Sequence, residues 1–156
     1  MSVTVVAESP LQDDVRMLIS GLNEHLLPLS PIEFQFKMTV EEMAEPDTTV
    51  FVARDENGHA LGCGALKIHQ GGLGEVKRMF TAPKARGARV GSTVLAAIVE
   101  RARGERLTWL MLETGTAPGF AAARQLYERS GFKPRGPFLD YPGSNWSAFY
   151  EMQLTR

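Results

Sequence analysis

The sequence has little of the chemistry that builds disulfide-linked or metal-binding proteins, because its 156 residues include one cysteine and three histidines. One cysteine excludes an internal disulfide, and three scattered histidines do not suggest a Cys/His metal site. Cys63 lies between two glycines in an apolar stretch, where a small buried residue is the simplest interpretation. We therefore expect a fold held by its hydrophobic core, with no metal.

The sequence also lacks an excess of either charge and a long apolar run. Its formal net charge of −1 gives no overall field that would favour nucleic acid or an anionic membrane. No stretch approaches the roughly 20 apolar residues of a membrane span, and residues 1–8 lack the basic start and apolar run of a signal peptide. We expect a cytoplasmic protein with neither a nucleic-acid nor a membrane partner.

The pattern of apolar residues predicts one domain over residues 1–156 with the element order βααβββαβαββ. Helices are predicted between Pro10 and Pro28, from Thr39, where Glu42 completes a capping box, and at 91–103 and 120–130. Strands are predicted at 3–7, 50–54, 61–69, 75–81, 107–113, 132–135 and 148–154. This order predicts an α/β fold: a mixed sheet with helices on both faces, in which strands 75–81 and 107–113 are parallel neighbours.

The most informative segment is Thr81–Gly91, in which a strand passes through a Pro-containing turn and a basic loop into a helix. Gly87 and Gly91 allow a close approach to the main chain, and the first turn of the helix offers unpaired N–H groups. With Arg86 and Arg89 nearby, this arrangement is typical of a phosphate site. An ordinary basic connection is the alternative that the loop alone leaves open.

Two blocks of sequence resemble the GNAT N-acetyltransferases. The segment Glu75–Gly91 is similar to the acetyl-CoA-binding turn and loop of that family, and Leu126–Phe132 is similar to its Leu-Tyr-x-x-x-Gly-Phe signature. The resemblance covers roughly residues 40–156. It implies a mixed, mostly antiparallel central sheet whose strands 75–81 and 107–113 splay apart around an acetyl-CoA cleft.

The resemblance implies that acetyl-CoA, as cosubstrate, is bound by a strand end and the loop that follows. In this sequence those residues are Met79, Phe80, Thr81, Arg86, Gly87, Ala88, Arg89, Val90, Gly91 and Ser92. Met79 and Thr81 would pair through their main chain with the pantetheine arm, and a backbone N–H there would be the oxyanion donor. Two positions depart from the family pattern: Arg89 replaces a glycine, and Phe120 stands where many relatives have asparagine.

Acetyl transfer to an amine needs a neutral amine, donors for the oxyanion and a proton for the departing thiolate. The resemblance places the Tyr127 hydroxyl at the coenzyme sulfur, and a phenol is well matched to that proton transfer. Glu75 and Glu113 are the candidates for the base. The alternatives are a core tyrosine and carboxylates that are solvated at strand ends or, for Glu75, paired with Lys77 or Arg78.

The segment from Phe138 to Trp146 borders the acceptor pocket in the resembling family. Tyr141 and Trp146 would form an aromatic wall, and Asp140 would pair with a cationic amine; a Pro/Gly turn packed on the core is the alternative. His25 and His69 are interpreted as surface or packing residues.

We interpret the chain as an acetyl-CoA-dependent N-acetyltransferase of a small-molecule amine, such as an amino acid or related metabolite, acting by direct transfer. The rivals are an acetylase of peptide N-termini or lysines and a coenzyme-binding sensor that has lost catalysis. A nucleotide-binding protein is disfavoured because the phosphate-loop and dinucleotide glycine motifs are absent. A homodimer is left open.

Overall fold

The computed structural model describes residues 2–154. The helices are α1 (Asp13–Leu26), α2 (Val40–Met43), α3 (Val90–Gly104) and α4 (Ala121–Arg129). The strands are β1 (Thr4–Ala7), β2 (Thr48–Arg54), β3 (Ala60–His69), β4 (Leu73–Thr81), β5 (Trp109–Gly115), β6 (Lys133–Arg135) and β7 (Ser147–Gln153). The predicted order of strands and helices is confirmed, with boundaries that differ by about two residues. Short 3₁₀ turns precede α2, α3 and α4.

The strands form one sheet of seven in the order β1-β2-β3-β4-β5-β7-β6. Its pairs are antiparallel except for β4 and β5, which run parallel as predicted. Helix α3 makes the connection between these two strands, and a helical crossover is the usual way to bring a chain back for parallel pairing. No helix within residues 2–154 combines the length and the apolar character needed to cross a membrane.

Both faces of the sheet are covered by helices, as the alternation of side chains in β2 makes clear. Val50 and Val52 pack with the apolar face of α1 and with Met38 and Met43. Phe51 and Ala53 point to the opposite face, where α3 and α4 pack. A strand that is apolar on both faces, as β2 is, belongs in the interior of a sheet with helices on each side.

Strands β4 and β5 pair only at their beginnings, from Leu73–Trp109 to Glu75–Met111. Further along, β4 carries a bulge: between the pairs Ala65–Lys77 and Cys63–Phe80 the register shifts, and Arg78 takes a left-handed conformation with φ 56°. A bulge bends the strand that contains it. The predicted splaying of these two strands is confirmed, and it opens a cleft between them.

The beginning of α2 follows the sequence prediction closely. The Thr39 hydroxyl accepts a hydrogen bond from the Glu42 amide at 3.1 Å, and the Glu42 carboxylate accepts one from the Thr39 amide at 2.9 Å. This capping box fixes the chain as it leaves the segment that covers one side of the cleft.

Helix α3 lies close to the sheet because β3 has glycines beneath it. A Cβ on Gly62 would lie 2.7 Å from both the Phe80 carbonyl oxygen and a methyl of Val90, the first residue of α3. The carbonyl belongs to the backbone of β4 and cannot move aside. Gly62 therefore sets how near the beginning of α3 can approach β4.

Gly62→Ala should destabilise the protein by about 1–3 kcal/mol, since the extra methyl over-packs a rigid contact. Gly104→Ala is the matched control, because no atom lies within 4 Å of its Cβ; it should be neutral or stabilising by up to about 1 kcal/mol. Urea unfolding of both variants measures the difference. Equal stabilities would show that the approach of α3 to β4 is not limited by Gly62.

Candidate active site

The cleft between the diverging strands has a volume of about 590 Å³. It is bordered by β4, β5, the beginnings of α3 and α4, and the segments 22–37 and 141–146. The residues predicted from sequence that line it are Glu75, Met79, Phe80, Thr81, Arg86, Gly87, Arg89, Val90, Gly91, Ser92, Glu113, Tyr127, Tyr141 and Trp146. Of the predicted set, only Ala88 and Asp140 do not line it.

One end of the cleft is formed by the loop that enters α3. The amides of Gly87, Arg89, Val90, Gly91 and Ser92 donate to no backbone carbonyl within residues 2–154. The Ala88 amide instead closes the turn by donating to the Ala85 carbonyl at 3.3 Å, and the Ala88 side chain packs against the core and does not line the cleft. Free N–H groups at a helix N-terminus, beside exposed guanidinium groups, are a site for phosphate oxygens.

Arg89 adopts the left-handed conformation, with φ 60° and ψ 25°, at the residue that immediately precedes α3. Glycine takes this conformation without strain, whereas an arginine there costs about 1 kcal/mol. The left-handed backbone thus explains why the resembling motif has glycine at this position. Arg89 keeps the same backbone and adds a guanidinium at the rim of the cleft.

Phe120, the second departure from the motif, lies with its ring against the end of β5. A Cβ on Gly115 would be 2.1 Å from the Phe120 ring, so the glycine provides the space for the aromatic side chain. At the preceding residue, in the 3₁₀ turn before α4, a Cβ on Gly119 would lie 2.6 Å from the Leu29 side chain. The beginning of α4 and the segment after α1 therefore close together over the cleft.

Tyr127 lies on α4 with 6% of its surface exposed. Its ring packs edge-on against Phe132, with centroids 5.9 Å apart, and against Tyr150, while the residue also lines the cleft. The tyrosine is thus a core residue and a cleft residue at once. Burial, followed by the Glu113 charge, raises the pKa of Tyr127. A phenol is protonated at neutral pH even with its ordinary pKa of about 10, so the hydroxyl is in its donating form.

Glu113 lies on β5 where the two strands have separated. Its carboxylate accepts a hydrogen bond from the Ser147 hydroxyl at 2.7 Å. Burial raises the pKa of Glu113; the Ser147 bond and the charge of Lys77 oppose that rise, and the charge of Glu75 adds to it. A half-buried carboxylate whose pKa is moved toward neutrality has the properties of a general base.

Glu75, the other predicted carboxylate, is almost fully buried, with 3% of its surface exposed. One of its oxygens is 2.9 Å from His69 Nε2, and the other accepts a hydrogen bond from the Tyr141 hydroxyl and lies 3.5 Å from Lys77 Nζ. Lys77 also donates to the Tyr141 hydroxyl at 2.9 Å. Glu75 pairs with Lys77 and not with Arg78, and its oxygens already have partners.

The predicted aromatic wall is present in part. Tyr141 packs against Phe36 and Phe138 at centroid distances of 5.2 and 5.1 Å, and burial, followed by the charge of Glu75, raises the pKa of its hydroxyl. Trp146 lines the rim and is 41% exposed. Asp140 is exposed and points elsewhere, so the structure does not bring it together with the other predicted residues.

Several residues of the site were not predicted from sequence: Lys77, Arg78 and Gln35 line the cleft, and His69 and Ser147 contact Glu75 and Glu113. A signal existed for two of them: consecutive residues in a strand point to opposite faces, so one of Lys77 and Arg78 had to be buried in a sheet covered on both sides. His69, predicted to be a packing or surface residue, has its Nε2 2.9 Å from a Glu75 oxygen, because the Gly71-Gly72 turn brings the end of β3 beside the beginning of β4. No three His, Cys, Asp or Glu side chains group as a metal site within 2–154.

A family model described as an acetyltransferase (GNAT) domain matches residues 46–134, more than half of the chain. The chain belongs to the GNAT acetyltransferase family. It is 43% identical to the IAA acetyltransferase of Azospirillum brasilense over 98% of this chain and 99% of that protein. It is also 34% identical to the uncharacterized N-acetyltransferase YedL of Escherichia coli over 97% of this chain and 94% of YedL.

Solved structures agree with this assignment. A candidate acyl-CoA N-acyltransferase from Klebsiella pneumoniae, 30% identical, has a TM-score of 0.82 over 98% of both chains. The PaiA N-acetyltransferase from Thermoplasma acidophilum, solved in complex with coenzyme A, shares the fold at 16% identity, with a TM-score of 0.74 over 98% of this chain and 99% of that chain. The protein is a GNAT N-acetyltransferase that uses acetyl-CoA as its cosubstrate.

The residues of the cleft fit acetyl-CoA. The free amides and guanidinium groups at the beginning of α3 are donors suited to its phosphates, and the edge of β4 from Met79 to Thr81 is not paired with β5. An extended arm can pair with such an open edge. At position 120, where many relatives have asparagine, Phe120 presents an aromatic ring to the cleft in place of a side-chain amide.

Arg89→Gly should weaken acetyl-CoA binding about tenfold, because it removes one charged hydrogen-bond donor from the phosphate end of the cleft. The backbone conformation at this residue suits glycine, so stability should change little. Calorimetric titration with acetyl-CoA measures the affinity.

Arg106→Gly is the control for that titration, since Arg106 is an exposed arginine with φ 59° at the opposite end of α3. It should leave the affinity unchanged. Tighter binding by Arg89→Gly than by the parent would mean that the arginine crowds the coenzyme.

Proposed function

We propose that this acetyltransferase moves the acetyl group of acetyl-CoA directly to the amine of a small molecule, such as an amino acid or related metabolite. The observation that carries the proposal is that the Glu113 carboxylate and the Tyr127 phenol line one cleft, close enough for the charge of Glu113 to contribute to the raised pKa of Tyr127. The rim segments 22–37 and 141–146 support an enclosed acceptor pocket. The sheet runs through elements from both halves of the chain, which supports a single domain.

Glu113 is the proposed base. An amine with an ordinary pKa of about 10.4 is protonated at neutral pH and cannot attack a carbonyl carbon. The Glu113 carboxylate accepts that proton, directly or through one water, while Ser147 holds one of its oxygens in place. Glu75 is assigned a positioning role, because its oxygens already have partners. One of these oxygens accepts the hydrogen bond that holds the Tyr141 hydroxyl at the wall of the cleft.

Tyr127 is the proposed acid. Acetyl-CoA supplies an activated acetyl group whose carbon–sulfur bond breaks as the amide bond forms, and the sulfur leaves with a negative charge. The Tyr127 hydroxyl donates its proton to that sulfur. A backbone N–H in the stretch Met79–Thr81 donates to the acetyl oxygen as negative charge develops on it, a contribution typically worth 10² to 10³ in rate.

Direct transfer is supported by the absence of a suitable nucleophile in the described cleft. Cys63 does not line it, and burial raises the pKa of its thiol to about 12. A neutral, inaccessible thiol cannot carry an acetyl group. The amine therefore attacks the acetyl carbon itself, with both substrates bound together.

The proposal is tested by measuring the release of free thiol from acetyl-CoA with a panel of small amines, amino acids, lysine peptides and peptides with free N-termini. The panel includes IAA, because the relative with 43% identity is named IAA acetyltransferase. Turnover of small amines above all peptides supports the proposal. A preference for peptides contradicts it, and coenzyme binding without any thiol release indicates a sensor.

Tyr127→Phe should lower the maximal rate by about 10- to 10⁴-fold, because it removes the proton donor and keeps the ring. Acetyl-CoA affinity should change much less, because the interaction matters mainly as charge develops on sulfur. Single-turnover kinetics with a good acceptor measures the chemical step.

Tyr150→Phe is the matched control for Tyr127→Phe. Tyr150 packs against Tyr127, but its hydroxyl donates to Glu128 at 2.8 Å, away from the cleft. Its loss should cost about 1 kcal/mol of stability and leave the rate near that of the parent. A parent-like rate for Tyr127→Phe would show that Tyr127 is a core-packing residue and not the proton donor.

Glu113→Gln should lower the rate by about 10²- to 10³-fold near neutral pH and less at high pH, where the amine is already neutral. The free energy of unfolding, in contrast to the rate, should be higher for Glu113→Gln than for the parent at neutral pH. Because the folded-state pKa of Glu113 is raised above 4.5, its protonated form stabilises the fold below that pH, and this stabilisation is lost as the pH rises. The ionised carboxylate therefore costs stability at neutral pH.

The melting temperature of Glu113→Gln should accordingly exceed that of the parent at neutral pH, with the gain vanishing toward pH 4. The comparison variant is Glu75→Gln, which disturbs a buried hydrogen-bonded carboxylate and should be less stable than the parent. An unchanged pH–rate profile for Glu113→Gln would refute the assignment of the base.

A further inference from the structure

Arg78 is a buried cation without an anionic partner. It lines the cleft with 8% of its surface exposed. Its Nη2 donates to the side-chain oxygen of Asn23 on α1, but its Nε is buried without a hydrogen-bond partner, and no carboxylate among residues 2–154 lies within ion-pair distance. Its neighbour Lys77, by contrast, is paired with Glu75. Buried charges are normally paired, so this guanidinium calls for an explanation.

The backbone at Arg78 supports a functional explanation. The residue sits in the bulge of β4 with φ 56°, a conformation that costs a non-glycine residue about 1–2 kcal/mol. Bulges near active sites re-aim side chains. Here the bulge puts the guanidinium beside α1 at the cleft, while burial lowers its pKa without removing its charge at neutral pH.

Gln35 is a second buried group with an unmet hydrogen bond in the same cleft. Its Nε2 donates to the carbonyls of Leu26, Leu27 and Ser30 at 3.2, 3.2 and 2.7 Å. Because all three partners are acceptors, the orientation of the amide is fixed with the nitrogen toward them. Its Oε1 is buried and accepts no hydrogen bond from the described residues, so it is available to an N–H or O–H donor.

Arg78 lies away from the loop that is suited to the coenzyme phosphates. Arg78 precedes Thr81 by three residues, about 10 Å along a strand, in the direction opposite to the loop that enters α3. Apolar side chains of Leu22, Leu26, Phe34 and Phe36 line the same region. An anion that reaches Arg78 therefore belongs to the acceptor and not to the phosphates of acetyl-CoA.

We propose that the acceptor is an amine that carries a carboxylate, with the amino acids as its chemical class, and that Arg78 binds this carboxylate while Gln35 Oε1 accepts a hydrogen bond from the same molecule. The proposal rests on the small-molecule acetyltransferase function given above. The carboxylate supplies the counter-charge that the fold itself does not provide. A guanidinium forms paired hydrogen bonds with carboxylates and discriminates strongly against molecules that lack one.

The test compares the common amino acids with their carboxamides, which keep the side chain and replace the carboxylate with a neutral amide. The same replacement lowers the pKa of the α-amine, which by itself would favour turnover of the amide. The parent enzyme should acetylate at least one amino acid with a kcat/KM 10-fold or more above that of its amide. Equal turnover of every amino acid and its amide would overturn the proposal.

The informative variant is Asn23→Asp, which keeps the shape of the residue that Arg78 contacts and gives the guanidinium a carboxylate within the protein. It should lower kcat/KM for the amino acid by about 10- to 100-fold, leave the amide near its parent value and leave acetyl-CoA affinity unchanged. Arg78→Gln should show the same selective loss if it folds. Asn57→Asp, in the turn between β2 and β3, adds the same charge far from the cleft and should behave like the parent.

Binding provides a readout that is independent of turnover. Calorimetry with coenzyme A present should detect the preferred amino acid with the parent and with Asn57→Asp, and at least tenfold weaker binding with Asn23→Asp. Equal binding by Asn23→Asp and the parent, or no amino-acid binding by the parent, would overturn the assignment of Arg78. Failure of the underlying function has a different signature, because then no amine of any kind releases thiol from acetyl-CoA.

Discussion

The separation of β4 from β5 after their first three residue pairs is the constraint on which the rest of this structure depends. Two parallel strands that separate in the middle of a sheet leave backbone groups and side chains facing the gap between them. The bulge at Arg78 bends β4, and Gly62 lets α3 settle close to the same strand. The free amides of the helix thus meet the open strand edge, which is the combination that a phosphorylated, extended cosubstrate requires.

The cleft treats its two carboxylates differently, and the difference follows from their partners. Glu75 is surrounded by His69, Lys77 and Tyr141, which compensate its charge and hold it in place. Glu113 has one hydroxyl partner, Ser147. The effect of burial on its pKa exceeds the opposing effects of that hydrogen bond and of the Lys77 charge, so its pKa rises. Environments that separate two similar groups in this way commonly separate their roles. The first is suited to holding a wall of the site, and the second to exchanging a proton.

Both departures from the family motif have structural counterparts. Arg89 keeps the left-handed backbone of the glycine it replaces, at the expense of some strain. Phe120 is matched by Gly115, whose missing side chain makes room for the ring. Neither change closes the cleft, since both residues lie on its lining. The substitutions alter what the walls offer to a ligand while the architecture is retained.

Local and periodic features were determined by the sequence itself. The element order, the capping box at Thr39 and the loop that enters α3 depend on residues near one another in the chain, and they were predicted. The parallel pairing of β4 with β5 was predicted from the helix that connects the two strands. Tyr127 and the coenzyme loop were predicted to line the cleft because they lie in motifs, and Glu113 because it closes the strand that neighbours β4. Asp140 shows the limit of this reasoning, because its position in the rim segment said nothing about which way its side chain points.

Only the tertiary structure decided the side-chain contacts between distant segments. Nothing in the sequence pairs Arg78 with Asn23, Glu75 with Tyr141, or Glu113 with Ser147, since these partners are 34 to 66 positions apart. The bulge that re-aims Arg78 has no clear local signature either. Which charges are buried, and whether they are satisfied, is a property of the packed molecule, because desolvation depends on every segment that surrounds a group.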